Sequence, residues 1–166
     1  GWVSAILLLV TSHTTITDIT SVFDFSRPEN KKYYAWIGAI TLLGAVLRIY
    51  NYKQIPVLNG DEAFITLFGM TYFDGTFANP FISGWLELPS MLLYIPGLAV
   101  QLFGQTVLAL RIANLILGIC AIPLCIWMVR PMLDRRYALV AGFVLATLGL
   151  HINFSRNNYI IIYDMM

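Results

Sequence analysis

The sequence predicts an all-α, polytopic membrane protein of about three to four transmembrane helices, with an outer-face loop carrying interfacial helices. Three observations lead there. Of 166 residues, 58% are hydrophobic and 11% charged, and the mean hydropathy is +0.74, far from the balance of a soluble domain of this length. Long uncharged runs recur, each bounded by basic or aromatic residues. Basic residues gather at Arg27, Lys31 and Lys32 and again at Arg130, Arg135 and Arg136, the bias expected of cytoplasmic loops.

A bilayer core about 30 Å thick needs roughly 20 mostly apolar residues in helical form, because each backbone amide must find its partner within the segment. Residues 1–32 open with Trp2 to Val10, too short to cross and read as the tail of a preceding helix, followed by Thr11 to Asn30, a polar cytoplasmic connector. Gly1 and Met166 both look like cuts, so the chain reads as part of a larger protein. Residues 33–166 form the N-terminal part of a transmembrane domain. Its first span is Tyr33 to Leu47, with Tyr33, Tyr34 and Trp36 at one end and Arg48, Tyr50 and Tyr52 at the other. An outer loop of residues 51–110 follows.

Within that loop Leu88 to Leu110 is long enough to cross, but Pro89, Pro96, Gly97 and Gly104 interrupt it. If both basic clusters lie inside, everything between Arg48 and Arg111 begins and ends outside, and this stretch lies in the interface or re-enters. A full crossing is the alternative, and it puts Arg130, Arg135 and Arg136 outside. Ile112 to Val129, between Arg111 and Arg130, and Tyr137 to Asn153, between Arg136 and Arg156, are the remaining spans.

Composition excludes several functions. A formal net charge of +1 leaves no basic field, so nucleic acid is not a partner. Cys120 and Cys125, five apart in an apolar run, match neither a redox pair nor a zinc spacing, and His13 and His151 lack spaced partners, so no metal site is assigned. Asn153-Phe154-Ser155 fits the N-glycosylation pattern but lies too near the membrane surface to be a good acceptor. Trp85, Tyr94 and Phe103 read as interfacial anchors.

The outer loop holds the candidate chemistry. Asn59-Gly60-Asp61-Glu62 sets two adjacent carboxylates just beyond the first span. Asp61 can cap a helix from Ala63 to about Tyr72, with Glu62 complementing its dipole, or the pair can serve a reaction. Asp164 is expensive near a membrane boundary without a partner, and Arg156 lies eight residues earlier on the same helical face, as a structural ion pair or as part of a site.

Gly60-Asp61-Glu62, the Phe73-Asp74-Gly75 turn, Gly84-Trp85-Leu86-Glu87-Leu88-Pro89, Leu110-Arg111-Ile112-Ala113-Asn114, Ser155-Arg156 and Tyr163-Asp164-Met165 follow one another in an order that resembles the GT-C membrane glycosyltransferases, the superfamily of protein O-mannosyltransferases and lipid A aminoarabinose transferases. The resemblance runs from about Tyr33 to Met166. It implies transfer of a sugar from a polyprenyl-phosphate donor to an acceptor at the outer face of a plasma membrane, with Asp61 as catalytic base and Glu62 beside it. Arg156, Asp164 and Glu87 then form the substrate-binding set, with Arg156 contacting phosphate. Such an inverting transfer needs a carboxylate to take the acceptor's proton and cations to steady the departing phosphate. The sequence departs from the family where Glu87-Leu88-Pro89-Ser90 stands in place of a basic residue before a double proline, and where Ala63 and Phe64 follow the acidic pair. Donor, acceptor and any cofactor therefore stay open, and this stretch alone is not expected to be active. A second class of function remains beside the enzyme: a short, non-catalytic membrane subunit held by other membrane subunits, its acidic pair only a cap.

Overall fold

A computed structural model describes residues 28–73 and 91–158, and every regular element among them is an α-helix. They are α1 (Pro28–Ile49), α2 (Gly60–Phe73), α3 (Met91–Phe103), α4 (Val107–Val129), α5 (Arg135–Thr147) and α6 (Gly149–Arg156). Their boundaries follow from local chemistry. Proline is favoured in the first turn of a helix, where α1 has Pro28, and just beyond α1 Asn51 takes φ 53°, a left-handed turn that asparagine tolerates. α3 stops at Gly104, whose φ of +69° suits glycine and whose N–H returns to the carbonyl of Val100 at 2.8 Å. Thr106 then caps α4, its hydroxyl accepting from the Ala109 N–H at 3.2 Å.

These ends revise three expected boundaries. The apolar stretch Leu88 to Leu110 is divided at Gly104, so α3 is a separate 13-residue helix, about 20 Å long and too short to cross a bilayer. The span expected from Ile112 begins at Val107, so Arg111 sits inside α4 rather than beyond its end. Tyr137 to Asn153 is not one straight helix: the chain breaks at Leu148, and α5 and α6 meet at a bend of 55°. Among the described residues α4 is the one helix both long and apolar enough to cross a membrane, and the bent α5–α6 pair passes only when its two parts are taken together. α1 has the length, 22 residues, but Lys31, Lys32 and Arg48 lie within it.

α1, α4 and α5 pack around Tyr33, Ile37, Ile40, Ile122, Ile126, Ala138 and Ala146. α2 and α3 form a second unit around Ile65, Tyr72 and Leu93, joined to the first through α4. Their crossing is backbone on backbone: a Cβ on Gly69 would stand 2.5 Å from the Leu93 carbonyl oxygen, and one on Gly97 would strike the Gly69 carbonyl. α6 lies against α4 where Gly118 leaves room for Ser155.

The bundle has two distinct ends. At one, the Arg135 guanidinium sits 5.4 Å from the Tyr33 ring centre, so the start of α1 meets the α4–α5 turn and its arginines. That contact joins the two regions whose basic residues the charge rule placed on one side. At the other end lie the C-terminus of α1, the N-terminus of α4 and the α5–α6 break. Polarity is inverted relative to a soluble protein. Leu42, Leu67, Leu102, Ile116, Met128, Val140 and Leu150 face outward, while Arg48, Glu62, Arg111, Asn114 and Ser155 are fully buried. Apolar surface outside, with buried charges either paired, as Glu62 and Arg111 are, or hydrogen-bonded, as Arg48 is, is the arrangement that a hydrocarbon solvent favours.

Candidate functional site

The buried polar groups gather at the second end, and the acidic pair is where they begin. Asn59 caps α2: its side-chain oxygen accepts from the Glu62 N–H at 2.9 Å, and the Glu62 carboxylate reaches back to the Asn59 N–H at 3.4 Å. The cap expected of Asp61 thus belongs to Asn59, two residues earlier, because the reciprocal pairing needs an acid three positions after the cap. Asp61 is left in the first turn of α2, exposed, with no partner among the described residues.

Glu62 turns inward. Both of its oxygens meet Arg111, at 3.0 Å from Nε and 2.8 Å from Nη2, a two-point pair in which neither side chain is exposed. Oε1 also accepts the Asn158 N–H at 2.8 Å, and Arg111 Nη1 donates to the Tyr52 carbonyl at 2.5 Å. The Asn158 amide donates in turn to the Thr66 hydroxyl at 3.1 Å, one helical turn beyond Glu62. Asn114, on the face of α4 one turn after Arg111, donates its side-chain amide to the Asn157 carbonyl. A buried charge is tolerable only when paired and fully hydrogen-bonded, and the neighbours of Glu62 meet that condition.

Arg156 Nε donates to the Arg48 carbonyl at 3.1 Å and its Nη2 to the Tyr50 carbonyl, covering carbonyls that the end of α1 leaves without helical partners. Its Nη1 has no partner among the described residues. Arg111 and Arg156 therefore hold the same turn, residues 50–52, on the path from α1 to the acidic pair. Arg48 itself is fully buried and turned into the α5–α6 bend, among Gly44, Leu145, Ala146, His151 and Ser155.

Of the residues expected at the site, the structure brings Glu62 into one network and sets Asp61 beside it, its carboxylate without a partner among the described residues, while Arg156 joins the same end of the bundle. Glu87 and Asp164 lie outside the described residues, and so does the expected Arg156–Asp164 pair. Glu62 does not stand as a free charge next to Asp61, since Arg111 neutralises it. His151, taken from sequence as an isolated polar residue, meets Arg48 at 2.8 Å and Ser155 at 3.3 Å. Arg48, Arg111, Asn114, Asn157 and Asn158 were not expected inward. The two arginines read as flanks of apolar runs, and the signal pointing the other way was the acid at Glu62, which needed a buried cation. Among the described residues no three His, Cys, Asp or Glu side chains converge as metal ligands would.

Comparison with known proteins adds one finding. The family model described as dolichyl-phosphate-mannose-protein mannosyltransferase matches residues 38–166, more than three quarters of the chain and every part of the Glu62 network. No curated protein and no solved structure matches.

Proposed function

The chain belongs to the dolichyl-phosphate-mannose-protein mannosyltransferase family, and from that premise we propose that it carries the base and part of the donor site of a GT-C transferase. In this reading a polytopic bundle in a plasma membrane presents the Asp61 end on its outer face. The donor is a polyprenyl-phosphate-linked sugar, as the dolichyl phosphate mannose of the family's description is, and the acceptor is a nucleophile such as a hydroxyl. The bilayer supplies the donor. Residues 33–166 act as the N-terminal part of the catalytic domain and residues 1–32 as its cytoplasmic lead-in.

The single observation that carries the reading is the division of labour within the acidic pair. Glu62 is consumed by Arg111, Asn59 and the Asn158 amide, whereas Asp61 is exposed at the start of α2 and meets no partner among the described residues. A general base must be within reach of the proton it takes, and Asp61 is the carboxylate of the pair free to meet a substrate. The acceptor oxygen forms its bond to the anomeric carbon as the bond to the donor phosphate breaks. Asp61 takes the hydroxyl proton, and the polyprenyl phosphate leaves with the electron pair of the broken bond. Arg156, whose Nη1 has no partner among the described residues, serves the leaving phosphate, since a guanidinium offers paired donors to phosphate oxygens. Glu87 and Asp164 complete the substrate-binding set.

The test is Asp61→Asn in the complete protein, with transfer from a polyprenyl-phosphate sugar as the readout. Loss of a positioned base costs about 10²–10⁴-fold in rate, and insertion and thermal stability should not change. Transfer at the parental rate would remove Asp61 from the role.

A further inference from the structure

A break in a helix leaves carbonyls without helical partners, and the break at Leu148, at one end of the bundle, is of this kind. The last four carbonyls of α5 lose their helical partners there. Two of them, on Leu145 and Ala146, accept from Arg48, at 3.3 Å from Nη2 and 3.0 Å from Nη1. The same guanidinium reaches across to α6. Nη2 lies 2.8 Å from His151 Nδ1, and Nε donates to the Ser155 hydroxyl at 3.3 Å. Nη1 also returns to the Gly44 carbonyl, one turn back in α1, at 2.9 Å. An arginine has five N–H donors, and Arg48 has five acceptors, three on backbone and two on α6 side chains.

The acceptors define the chemistry of the clamp. Arg48 carries protons on every nitrogen, so His151 Nδ1 must accept, and the imidazole proton stands on Nε2. Ser155 accepts from Arg48 and donates to the His151 carbonyl at 2.6 Å, so its hydroxyl is used in both directions. Gly118 makes room for this hydroxyl on α4. Lysine could not reproduce the set, having three donors on one nitrogen.

Residues 156–158, next along the chain after Ser155, are tied to the region that Glu62 holds. Arg156 sits on the turn after α1, Asn157 offers its carbonyl to Asn114, and Asn158 gives its N–H to Glu62. The angle at the break sets where these three residues fall. We propose that Arg48 is a positioning residue, a five-donor clamp that fixes the α5–α6 bend through His151 and Ser155 and thereby seats residues 156–158 against the Glu62–Arg111 pair. Its consequence for transfer rests on the proposed roles of Asp61 as base and Arg156 as phosphate contact, but the clamp is a property of the bend and is measured without substrate.

The experiment uses the complete protein in lipid nanodiscs, with Cys120 and Cys125 replaced by alanine and spin labels at Tyr137 and Asn153, both exposed and on opposite sides of the break. Arg48→Gln should broaden the inter-label distance distribution and shift its mean, and Arg48→Lys should broaden it less. His151→Leu should act like Arg48→Gln, whereas His151→Asn, which keeps an acceptor near Nδ1, should restore the parental distribution. In transfer assays Arg48→Gln should lower kcat by about 100-fold, as misplacement of reacting groups by an ångström does, with KM for the donor nearly unchanged. A distribution unmoved by both Arg48→Gln and His151→Leu overturns the clamp. So does a rise in KM alone, which would make Arg48 a donor contact. If Arg48→Gln does not insert, His151→Leu and Ser155→Ala decide by the same distance. Full transfer by Asp61→Asn would remove the assignment of the base while leaving the distance result to stand by itself.

Discussion

At Glu62 a carboxylate with no exposed surface faces an arginine with none, and removing either leaves the other charged, buried and uncompensated. That asymmetry is worth about 3–5 kcal/mol for a broken buried pair. Glu62→Ala should therefore lower the unfolding temperature of the complete protein in detergent by many degrees. Glu62→Leu combined with Arg111→Met, which removes both charges, should recover a good part of the loss. If Glu62→Ala proves as stable as the parent, the pair does not hold this end of the bundle together. Asp61→Asn is the contrast, since an exposed side chain with no partner among the described residues should change stability by no more than about 0.5 kcal/mol. The two neighbours thus separate stability from activity. That two carboxylates open a helix just beyond the first apolar run was legible in Asn59-Gly60-Asp61-Glu62. Which acid faces inward was not, because the choice depends on Arg111, 49 residues away, and on the Asn158 amide, 96 away.

Glycines test the packing of the helices, and three of them should respond in three ways. A Cβ at Gly69 would stand 2.5 Å from the Leu93 oxygen, with the Gly97 backbone close behind, so α2 and α3 must separate. Gly69→Ala should cost about 1–3 kcal/mol, as overpacking does. Gly104 has open space around a Cβ but a φ of +69°, so Gly104→Ala meets backbone strain alone, about 1–2 kcal/mol. At Gly38, in α1, there is space and no positive φ, so Gly38→Ala should stabilise by about 0.5–1 kcal/mol. Thermal unfolding of the three variants checks the order, and a destabilising Gly38→Ala would contradict the open face of α1. The presence of helices was readable from apolar runs, but their ends were not. Hydropathy averages over a window, so Arg48 and Arg111 lowered it and looked like boundaries: Arg48 does lie in the last turn of α1, held by neutral acceptors, whereas Arg111 lies inside α4 with its charge met by Glu62. The break at Leu148 has no proline or glycine before it to announce it, and Gly149 follows.

For the molecule as a whole, Lys31 and Lys32 in the first turns of α1 share one end with the α4–α5 turn and its arginines, where Arg135 covers Tyr33, and the Glu62 network fills the other. If the bundle crosses a membrane as proposed, the two ends open to different compartments. Single cysteines at Lys31 and Arg136 should then react with an impermeant maleimide from one side of sealed vesicles, and one at Lys53 from the other. Labelling of all three from the same side would overturn the orientation. The sequence by itself determined the helical class, the apolar exterior, the family and the region of the acidic pair, because these depend on composition, on runs of neighbouring residues and on the order of short motifs. Tertiary structure alone decided that Asn59 rather than Asp61 caps α2, that Glu62 is taken by Arg111, and that Arg48 enters the bend 107 residues away at Ser155. The physical reason is one of range. Transfer to a hydrocarbon environment sums residue by residue along the chain, whereas a buried charge is settled only by the partner that packing brings to it.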